Sequence, residues 1–559
     1  MAGQSVSSVK PETQSVLRSA GAMGVATLFS RIMGLVREQV FAVMFGAGNL
    51  TDAYNIAFRI PNLLRDLFAE GALSSALVPT FTRVRAEQGD RAAWRVAGLV
   101  FRTLFVIVAT LAILGIVFAN RLVGIYAAAF KQIPGKFELT VRMTQIMFPF
   151  FPLVALAAAY MGILNACGRF FVPAFASALF NLFSIVVGVS VSYFLPRFGV
   201  QPIVGMSVGV IAGGMIQAFY QLPLLYRVGY RWFPHNETLG DVVWHKNPAL
   251  RTMLVLMIPG TIGLAATQIN VLVNSVLATS QGPGAVSWLN YAFRLMQFPI
   301  GIFGVSLAAA TLPRVSRQWV EKDVSGVAQT LTQSLKNVFA VNLPASAGLA
   351  FLGAPIVQLL FEYGRFSTQD THATAMALAA YSVGLTAYSA VKVLVPACYA
   401  LGRTRIAVVS SVLSVSMTIV LNLALIGPLG YLGLALGTSA AATFNAIFLC
   451  WTLKKLLPDF SFSELARSFF THFCTAAVMG ILCWFSATGL ARVVHDDCFY
   501  PHLGRLGIAL VRAAKMGLLM VEGVAVIVLL AKIFRLTELT EVLDLFTKKL
   551  KKKLGRQKI

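Results

Sequence analysis

Residues Ser30 to Pro79 read SRIMGLVREQVFAVMFGAGNLTDAYNIAFRIPNLLRDLFAEGALSSALVP. The background of this stretch is apolar enough for two membrane-spanning helices, yet charged side chains are embedded in it, among them Arg31, Arg37, Asp52, Arg59, Arg65, Asp66 and Glu70. An arginine at the centre of a spanning helix costs about 2.5–3.5 kcal/mol on insertion scales, so four that face lipid would cost on the order of 10 kcal/mol. They should therefore face an aqueous cavity, pair with acids or lie near the interface. We interpret the stretch as part of a cationic cavity inside a helical bundle that holds an anion.

The composition is that of a polytopic membrane protein. Of the 559 residues, 57% are hydrophobic and 12% are charged, and the mean hydropathy is +0.75. A soluble protein carries roughly 25% charged residues. Lysine and arginine outnumber the acids by 46 to 22. Much of this excess lies in short connections between apolar runs, where it sets topology and attracts anionic lipid, so we expect membrane lipids and no nucleic acid as partners.

Motifs of metal and nucleotide chemistry are absent from the sequence. The chain contains six cysteines and six histidines but no CxxC, no HExxH and no His/Cys cluster. It also lacks the GxxxxGKS/T and GxGxxG runs that cradle phosphates. We therefore expect no disulfide framework, no metal, no cofactor and no enzymatic activity. Residues 1–18 have no apolar core, so we expect no cleaved signal peptide.

Apolar runs of spanning length recur about fourteen times. The first two would run from about 21 to 45 and from about 53 to 80, with Thr51 or Asp52 placed to cap the second helix, a structural role for Asp52. The remaining spans read approximately 97–119, 139–164, 171–195, 202–226, 252–278, 285–311, 329–360, 374–400, 406–426, 430–453, 468–490 and 506–533. Basic residues alternate between connections, which puts both termini in the cytoplasm.

The two halves of the chain resemble each other. Three pairs of runs match in the same order and at nearly the same offset: Asn55–Ile60 with Asn290–Leu295, Ser75–Pro79 with Ala309–Pro313, and Asn165–Arg169 with Tyr399–Arg403. Because six spans separate the equivalents, the sequence predicts two six-helix lobes of the same orientation with a site between them. We place the N-terminal lobe at 1–235, the C-terminal lobe at 236–460, two additional spans at 461–535 and a basic cytoplasmic tail helix at 536–559. The GxxxG pairs favour close helix packing over chemistry.

Three runs carry a resemblance to a known family: SRIMGLVRE, TDAYNIAFRIPNLLRDLFAEGALSSALVP and NYAFRLMQFPIGIFGVSLAAATLPRVSR. Over about residues 18–460 the chain resembles the MurJ (MviN) family of lipid II flippases, within the multidrug/oligosaccharidyl-lipid/polysaccharide exporter superfamily. The resemblance implies a multi-pass protein of the bacterial cytoplasmic membrane that serves cell wall biogenesis. Its substrate would be lipid II, the polyprenyl-diphosphate disaccharide-pentapeptide, moved from the inner to the outer leaflet.

The resemblance also implies a substrate site. The central-cavity residues of the family map onto Ser30, Arg31, Arg37, Asp52, Arg65 and Arg294, and supporting roles are expected for Arg59, Glu70 and Gln297. Arginine suits a diphosphate because its guanidinium stays charged and offers bidentate donors. Each arginine has an alternative role, in which it forms an ion pair or snorkels to the membrane surface. The alternative role of Glu70 is an ion pair with Arg65 or Arg59. Some members carry glutamate where Gln297 stands, and some hold a sodium ion whose acidic ligands cannot be matched here.

Helical geometry adds two expectations about the site. Ser30, Gly34 and Arg37 share one face of the first helix, whereas Arg31 lies about 120° from Arg37 and needs a bend or a wide cavity. Pro61 is placed to break the second helix.

We expect alternating access by rocking of the two lobes, with the two extra spans guiding the polyprenyl tail. Coupling to the membrane potential or to a monovalent ion fits a chain without a nucleotide site, and we expect a monomer that meets other wall-synthesis proteins. Two alternatives stay open: a flippase of another polyprenyl-diphosphate-linked oligosaccharide, and a non-transporting scaffold. A membrane glycosyltransferase would need an acidic metal site, and the single adjacent acidic pair, Asp496-Asp497, lies in a connection.

Overall fold

The computed structural model of the protein describes residues 10–67, 72–231, 268–493, 496–534, 536 and 538–539. For residues 10–23, 72–75, 496–503, 505 and 506 it describes the backbone alone. Every regular element in these ranges is helical, which confirms the all-α fold class. The chain divides into two compact units, Met1–Pro283 and Gly284–Ile559.

The first unit is a bundle of long helices joined by short connections. Its described helices are α1 (Lys10–Phe45), α2 (Asn49–Arg65), α3 (Ala72–Gln88), α4 (Asp90–Val117), α5 (Ala119–Tyr126), α6 (Lys136–Met147), α7 (Phe150–Ala166), α8 (Phe171–Phe194), α9 (Ile203–Phe219), α10 (Leu222–Val228) and α11 (Gln268–Thr279). Short 3-10 helices follow α5 at Ala128–Gln132 and α8 at Leu195–Phe198.

The second unit is also a bundle of long helices joined by short connections. Its helices are α12 (Ala285–Pro299), α13 (Val305–Val320), α14 (Val324–Phe351), α15 (Gly353–Phe361), α16 (Thr368–Ala400), α17 (Thr404–Leu429), α18 (Tyr431–Leu456), α19 (Phe462–Val493) and α20 (Asp496–Ile533). A π-helical turn, Ile300–Gly304, joins α12 to α13. The long α20 is interrupted at Gly504, whose φ of 59° suits a residue without a Cβ.

The helices account for the predicted spans. In the described part of the chain, ten stretches are long and apolar enough to cross a membrane, and α14 with α15, bent by 72°, adds an eleventh. These cover spans three to six and eight to fourteen. Spans one and two fall on α1 and on α2 with α3. Span seven falls on α11, and its first part, 252–267, lies outside the described residues. The fold is that of an integral membrane protein with about fourteen transmembrane helices.

The two units pack their helices in corresponding pairs. In the first unit α8 packs on α9, α7 on α9, α4 on α7, α2 on α6 and α3 on α4. In the second unit the equivalent spans pair likewise: α17 on α18, α16 on α18, α14 on α16, α12 on α16 and α13 on α14. This agreement is what the internal repeat predicts. The predicted lobe boundary at 235/236 lies outside the described residues, as does nearly all of the tail helix 536–559.

The second span of each repeat changes to π-helical geometry at the same place. In the first unit the change begins at Asp66 and Leu67, and in the second unit it covers Ile300–Gly304. A π turn holds an extra residue and is frequent at functional sites. Our expectation that Pro61 breaks the second span is wrong, because α2 continues through Pro61 to Arg65.

The GxxxG glycines let paired helices approach closely. A Cβ on Gly209 of α9 would meet the backbone carbonyl of Ser184 on α8. A Cβ on Gly433 of α18 would meet the backbone carbonyl of Leu425 on α17. The prediction that these pairs serve helix packing is confirmed.

Candidate functional site

Arg37 is buried within the first unit. It is 7% exposed, and its Nη2 lies 3.2 Å from Oε1 of Glu38, which is also 7% exposed. The guanidinium carbon lies 5.7 Å from the ring centroids of both Phe58 on α2 and Phe180 on α8. A carboxylate and two aromatic faces thus replace the water that this cation loses on burial. The ion pair is the alternative role that the sequence left open for Arg37, and its contact with substrate stays a prediction.

Ser30 and Gly34 lie on the same side of α1 as Arg37. Asn181 on α8 donates its Nδ2 hydrogen to the carbonyl oxygen of Ser30 at 3.3 Å. The same nitrogen would lie 3.7 Å from a Cβ on Gly34. Phe180, whose ring contacts Arg37, is the residue before Asn181 on α8. Ser30, Gly34 and Arg37 therefore all face α8, which confirms the predicted shared face.

Arg31 lies elsewhere on α1. It is exposed, and it makes no hydrogen bond or ion pair with another residue in the described ranges. The helix that carries it is unbroken from Lys10 to Phe45. The guanidinium of Arg31 is therefore open to an incoming anion.

Asp52 is fully buried in the first turn of α2. Its Oδ2 lies 3.1 Å from Nζ of Lys136, at the start of α6. The expected capping role of Thr51 or Asp52 is wrong: the N-cap of α2 is Gly48, and no side chain caps the helix. The hydroxyl of Thr51 donates instead to the carbonyl oxygen of Gly46 at 2.8 Å.

Arg65 ends α2 beside a carboxylate. Its Nε and Nη2 both donate to Oδ1 of Asp66, at 3.1 and 2.8 Å. The other oxygen of Asp66 accepts from Asn62 at 3.5 Å and from Gln268 on α11 at 3.3 Å. The side chains of Arg65 and Asp66 are 23% and 26% exposed, so an anion can reach this pair.

Arg59 is half-buried on α2 and is engaged within the protein. Its charge acts on Tyr126, which ends the short helix α5 outside the spans. Burial raises the pKa of Tyr126 to about 12, and the nearby Arg59 acts in the opposite direction. Arg59 therefore lies close enough to Tyr126 for their charges to interact.

Arg294 and Gln297 are both exposed on α12, shortly before the π turn. In the repeat, Arg294 corresponds to Arg59, since NYAFR aligns with NIAFR. Arg294 also has interaction partners within the protein. Glu70, the remaining predicted residue, lies outside the described residues.

Three residues of this region were not among the predicted ones: Glu38, Lys136 and Gln268. Glu38 follows Arg37 directly in an apolar helix, which is a readable signal for an ion pair. Lys136 lies 84 residues from its partner Asp52, and Gln268 lies 202 residues from its partner Asp66. No local sequence pattern relates residues so far apart.

Metal-binding side chains do not cluster in the described residues. No group of three or more His, Cys, Asp or Glu side chains lies together there. Asp370 belongs to a capping box with Ser367 at the start of α16 and accepts from Trp288 Nε1 at 2.9 Å. Gly205–Gly209 has the GxSxG spacing of a hydrolase nucleophile, but Ser207 is fully buried inside α9 and not on an exposed turn.

An apolar cavity lies within the second unit. Its volume is about 750 Å³, and it is lined by α14, α16, α18 and α19. Aromatic and small side chains form its wall, among them Phe339, Ala387, Cys450, Phe469 and Phe473. Phe339 and Phe469 meet edge to face at 5.4 Å between centroids. No described residue of α20 lines the cavity.

The family model and the similar sequences point to the same protein family. The family model described as lipid II flippase MurJ matches residues 41–496. The probable lipid II flippase MurJ of Vibrio cholerae is 34% identical over 441 residues, which are 78% of this chain and 82% of that protein. The lipid II flippase MurJ of Burkholderia cenocepacia is 34% identical over 429 residues, which are 77% and 82% of the two chains.

Solved structures show the same fold. A structure of lipid II flippase MurJ in an inward closed conformation superposes with a TM-score of 0.73 at 24% identity, covering 92% of this chain and 98% of that one. An inward-facing multidrug resistance MATE family transporter of the MOP superfamily superposes with a TM-score of 0.65 at 17% identity, covering 78% and 96%. The helical arrangement is therefore shared with transporters.

Proposed function

The chain belongs to the MurJ family of lipid II flippases, and we infer that it moves lipid II from the inner to the outer leaflet of the bacterial cytoplasmic membrane. The observation that carries this inference is the extent of the family match, from residue 41 to residue 496. That range begins within α1 and ends at the start of α20, so it includes most of both units. A flippase is a transporter, so the chain is not an enzyme.

The arginines of α1, α2 and α12 are the proposed ligands of the diphosphate. Arg31 and Arg294 are exposed, whereas Arg37 and Arg65 are each matched by the adjacent acid. Exposed guanidinium groups would meet the diphosphate first. The two negative charges of the diphosphate would then compete with Asp66 for Arg65. The family resemblance adds Ser30 and Asp52 to the proposed site, and it gives Arg59 and Gln297 supporting roles.

Alternating access supplies the proposed route. With both termini in the cytoplasm, the site would take up the head group from the inner leaflet while the tail stays in lipid. An inside-negative potential favours outward movement of a dianion by about 2 × 2.3 kcal/mol per 100 mV. The fold supports this route because transporters of the MOP superfamily share it.

The apolar cavity of the second unit is the proposed seat of the polyprenyl tail. Its wall is formed in part by α19, the first of the two additional spans. Isoprene units carry no hydrogen-bonding groups, so they suit a wall of phenylalanine and alanine side chains. We expect the protein to act as a monomer among membrane lipids, near other wall-synthesis proteins.

Flipping in proteoliposomes tests the function. We would follow lipid II and a fluorescent phospholipid side by side, at an imposed potential, with wild type, Arg31→Ala and Arg65→Ala. The matched control is Arg83→Ala, because Arg83 is an exposed arginine on α3 outside the proposed site. Selective movement of lipid II that falls at least about tenfold in the two site variants, but not in the control, supports the proposal.

The other outcomes separate the alternatives. Equal movement of both lipids would show a nonspecific scramblase. Faster movement of another polyprenyl-diphosphate oligosaccharide than of lipid II would assign that substrate instead. Folded protein that moves neither lipid would favour the scaffold.

A further inference from the structure

We propose that Lys136 is a positioning residue of the flippase, which holds the carboxylate of Asp52 inside the first unit and so fixes the start of α2. Asp52 would then serve transport through Lys136 and not by touching the head group of lipid II. The inference rests on the proposed function, and it replaces the substrate contact that the family resemblance implied for Asp52.

The geometry of the pair is closed on all sides. Nζ of Lys136 donates to Oδ2 of Asp52 at 3.1 Å and to Oδ1 of Asn49 at 3.0 Å, and it lies 4.0 Å from the ring centroid of Phe130. The side chains of Lys136 and Asp52 are 2% and 0% exposed. An anionic ligand as large as a lipid-linked diphosphate has no surface of Asp52 to contact in this arrangement.

The electrostatics of the two helices explain why the pair holds. Asp52 lies in the first turn of α2, where the helix dipole favours an acid. Lys136 is the first residue of α6, where the dipole disfavours a cation. A buried ammonium at that position therefore depends on the carboxylate of Asp52 and on the face of Phe130. Removal of either charge leaves the other buried without an opposite charge.

The pair acts on the helix that carries the candidate arginines. Asn49 is the first residue of α2 and Asp52 lies in its first turn, so one ammonium grips the start of the helix at two points. The helix α2 then runs along α6 to Arg59 and Arg65. A rotation of α2 at its start would move both guanidinium groups, and a displacement of about 1 Å at a reacting or binding group is enough to lower a rate strongly.

Two measurements on the full chain test the inference. The variants are Lys136→Met, Asp52→Asn, their double variant, and the charge-exchanged Asp52→Lys/Lys136→Asp. The matched control is Lys131→Met, because Lys131 is an exposed lysine in the short 3-10 helix before α6, 5.1 Å from the ring of Phe137. One measurement is lipid II flipping in proteoliposomes together with the Kd for lipid II in nanodiscs. The other is thermal unfolding of each variant without substrate.

The expected pattern separates positioning from substrate contact. Each single variant should lower the flipping rate at least about tenfold, and the two single variants should change the Kd for lipid II by the same factor to within about threefold, because both act through the position of α2. The neutral double variant should unfold at a temperature no lower than that of the less stable single variant, because the pair acts as a unit. The charge-exchanged variant should recover flipping to within about threefold of wild type, and Lys131→Met should match wild type.

Other results overturn the inference. Asp52→Asn that weakens lipid II binding at least about tenfold while Lys136→Met does not would restore Asp52 as a substrate contact. Additive thermal effects would show that the two side chains act independently. If the single variants do not fold, failure of the charge-exchanged variant to recover folded protein would likewise reject the pair. Wild-type protein that neither binds nor moves lipid II would reject the proposed function itself, which is a distinct result.

Discussion

The guanidinium of Arg65 donates through Nε and Nη2 to a single oxygen of Asp66, the next residue in the chain, at 3.1 and 2.8 Å. The expected phosphate ligand is thus already matched by a carboxylate at the end of α2. Asn62 and Gln268 hold the second oxygen of that carboxylate. A diphosphate that binds Arg65 must therefore displace Asp66, and Asp66 sets how readily the site accepts an anion.

We predict that Asp66→Asn tightens lipid II binding. The amide keeps a similar shape but removes the charge that competes with the diphosphate, so the Kd should fall about threefold to tenfold at low salt. Arg65→Ala should raise the Kd at least about tenfold, and Arg65→Lys should recover only part of the loss because lysine lacks the planar fork. Titration of lipid II into nanodiscs at low and high salt measures both effects.

The control for this prediction is Asp90→Asn. Asp90 also pairs with an arginine, Arg85, at 2.7 Å, but this pair is exposed and lies outside the proposed site. Its removal should leave the Kd unchanged. If Asp66→Asn weakened binding as much as Arg65→Ala does, Asp66 would be a support for Arg65 and not its competitor.

A second prediction concerns the stability of the buried pair on α1. Glu38→Gln leaves the cation of Arg37 between two aromatic rings without a carboxylate, which should cost about 3–5 kcal/mol. Arg37→Gln should destabilise by a similar amount. The double variant should lose clearly less than the sum, because neither charge is then left alone. Thermal unfolding in one detergent measures the cycle, and strictly additive losses would refute the pairing.

Some features of this fold and site could be predicted from the sequence, and others could not. The spans were predictable because a long apolar run in a bilayer can satisfy its backbone hydrogen bonds within its own segment only as a helix. The repeat was predictable because NIAFRI and NYAFRL share polar residues that apolar composition does not explain. Glu38 directly follows Arg37 in an apolar helix, so this ion pair is one that the sequence could have predicted. Lys136 was not readable, because its partner Asp52 lies 84 residues away and only the fold brings them together.

The sequence alone also did not predict which of the candidate residues are exposed. Arg31 and Arg37 lie on one helix and belong to similar contexts, yet Arg31 is exposed and Arg37 is 7% exposed. The difference arises from packing of α2 and α8 on one side of α1. A resemblance can transfer residue positions, but it does not say which of them face the site in a given conformation.

Glycine packing gives a third prediction. Gly437→Ala places a Cβ against the side-chain oxygen and backbone nitrogen of Asn422 on α17, and should destabilise the protein by about 1–3 kcal/mol. The control is Gly427→Ala, because a Cβ at Gly427 meets nothing within 4 Å. That variant should leave stability unchanged or raise it slightly, since alanine is the better helix former. Equal thermal midpoints for the two variants would show that the close approach of α17 and α18 is not required.

A fourth prediction tests the cavity as the seat of the tail. Ala387→Phe adds a ring to the lining and should slow flipping of lipid II with its full polyprenyl tail about threefold to tenfold. A short-chain analogue of lipid II should move at the wild-type rate, because its tail would not reach so far. The control is Val408→Phe, at an exposed position of α17 outside the cavity. Equal slowing of both substrates by Ala387→Phe would place the tail elsewhere.

The π turn between α12 and α13 supports a final prediction. Deletion of Ile302 removes the residue by which Ile300–Gly304 exceeds α-helical spacing, so the second span should become continuous α-helix. Everything before the deletion then rotates by about 100° relative to α13, which turns Arg294 to another face. Flipping should fall at least about tenfold, as for Arg294→Ala, while the protein stays folded. Ile302→Ala is the matched control, because it shortens an exposed side chain but keeps the extra residue, and it should flip lipid II normally. A fully active deletion variant would show that the orientation of Arg294 does not matter for transport.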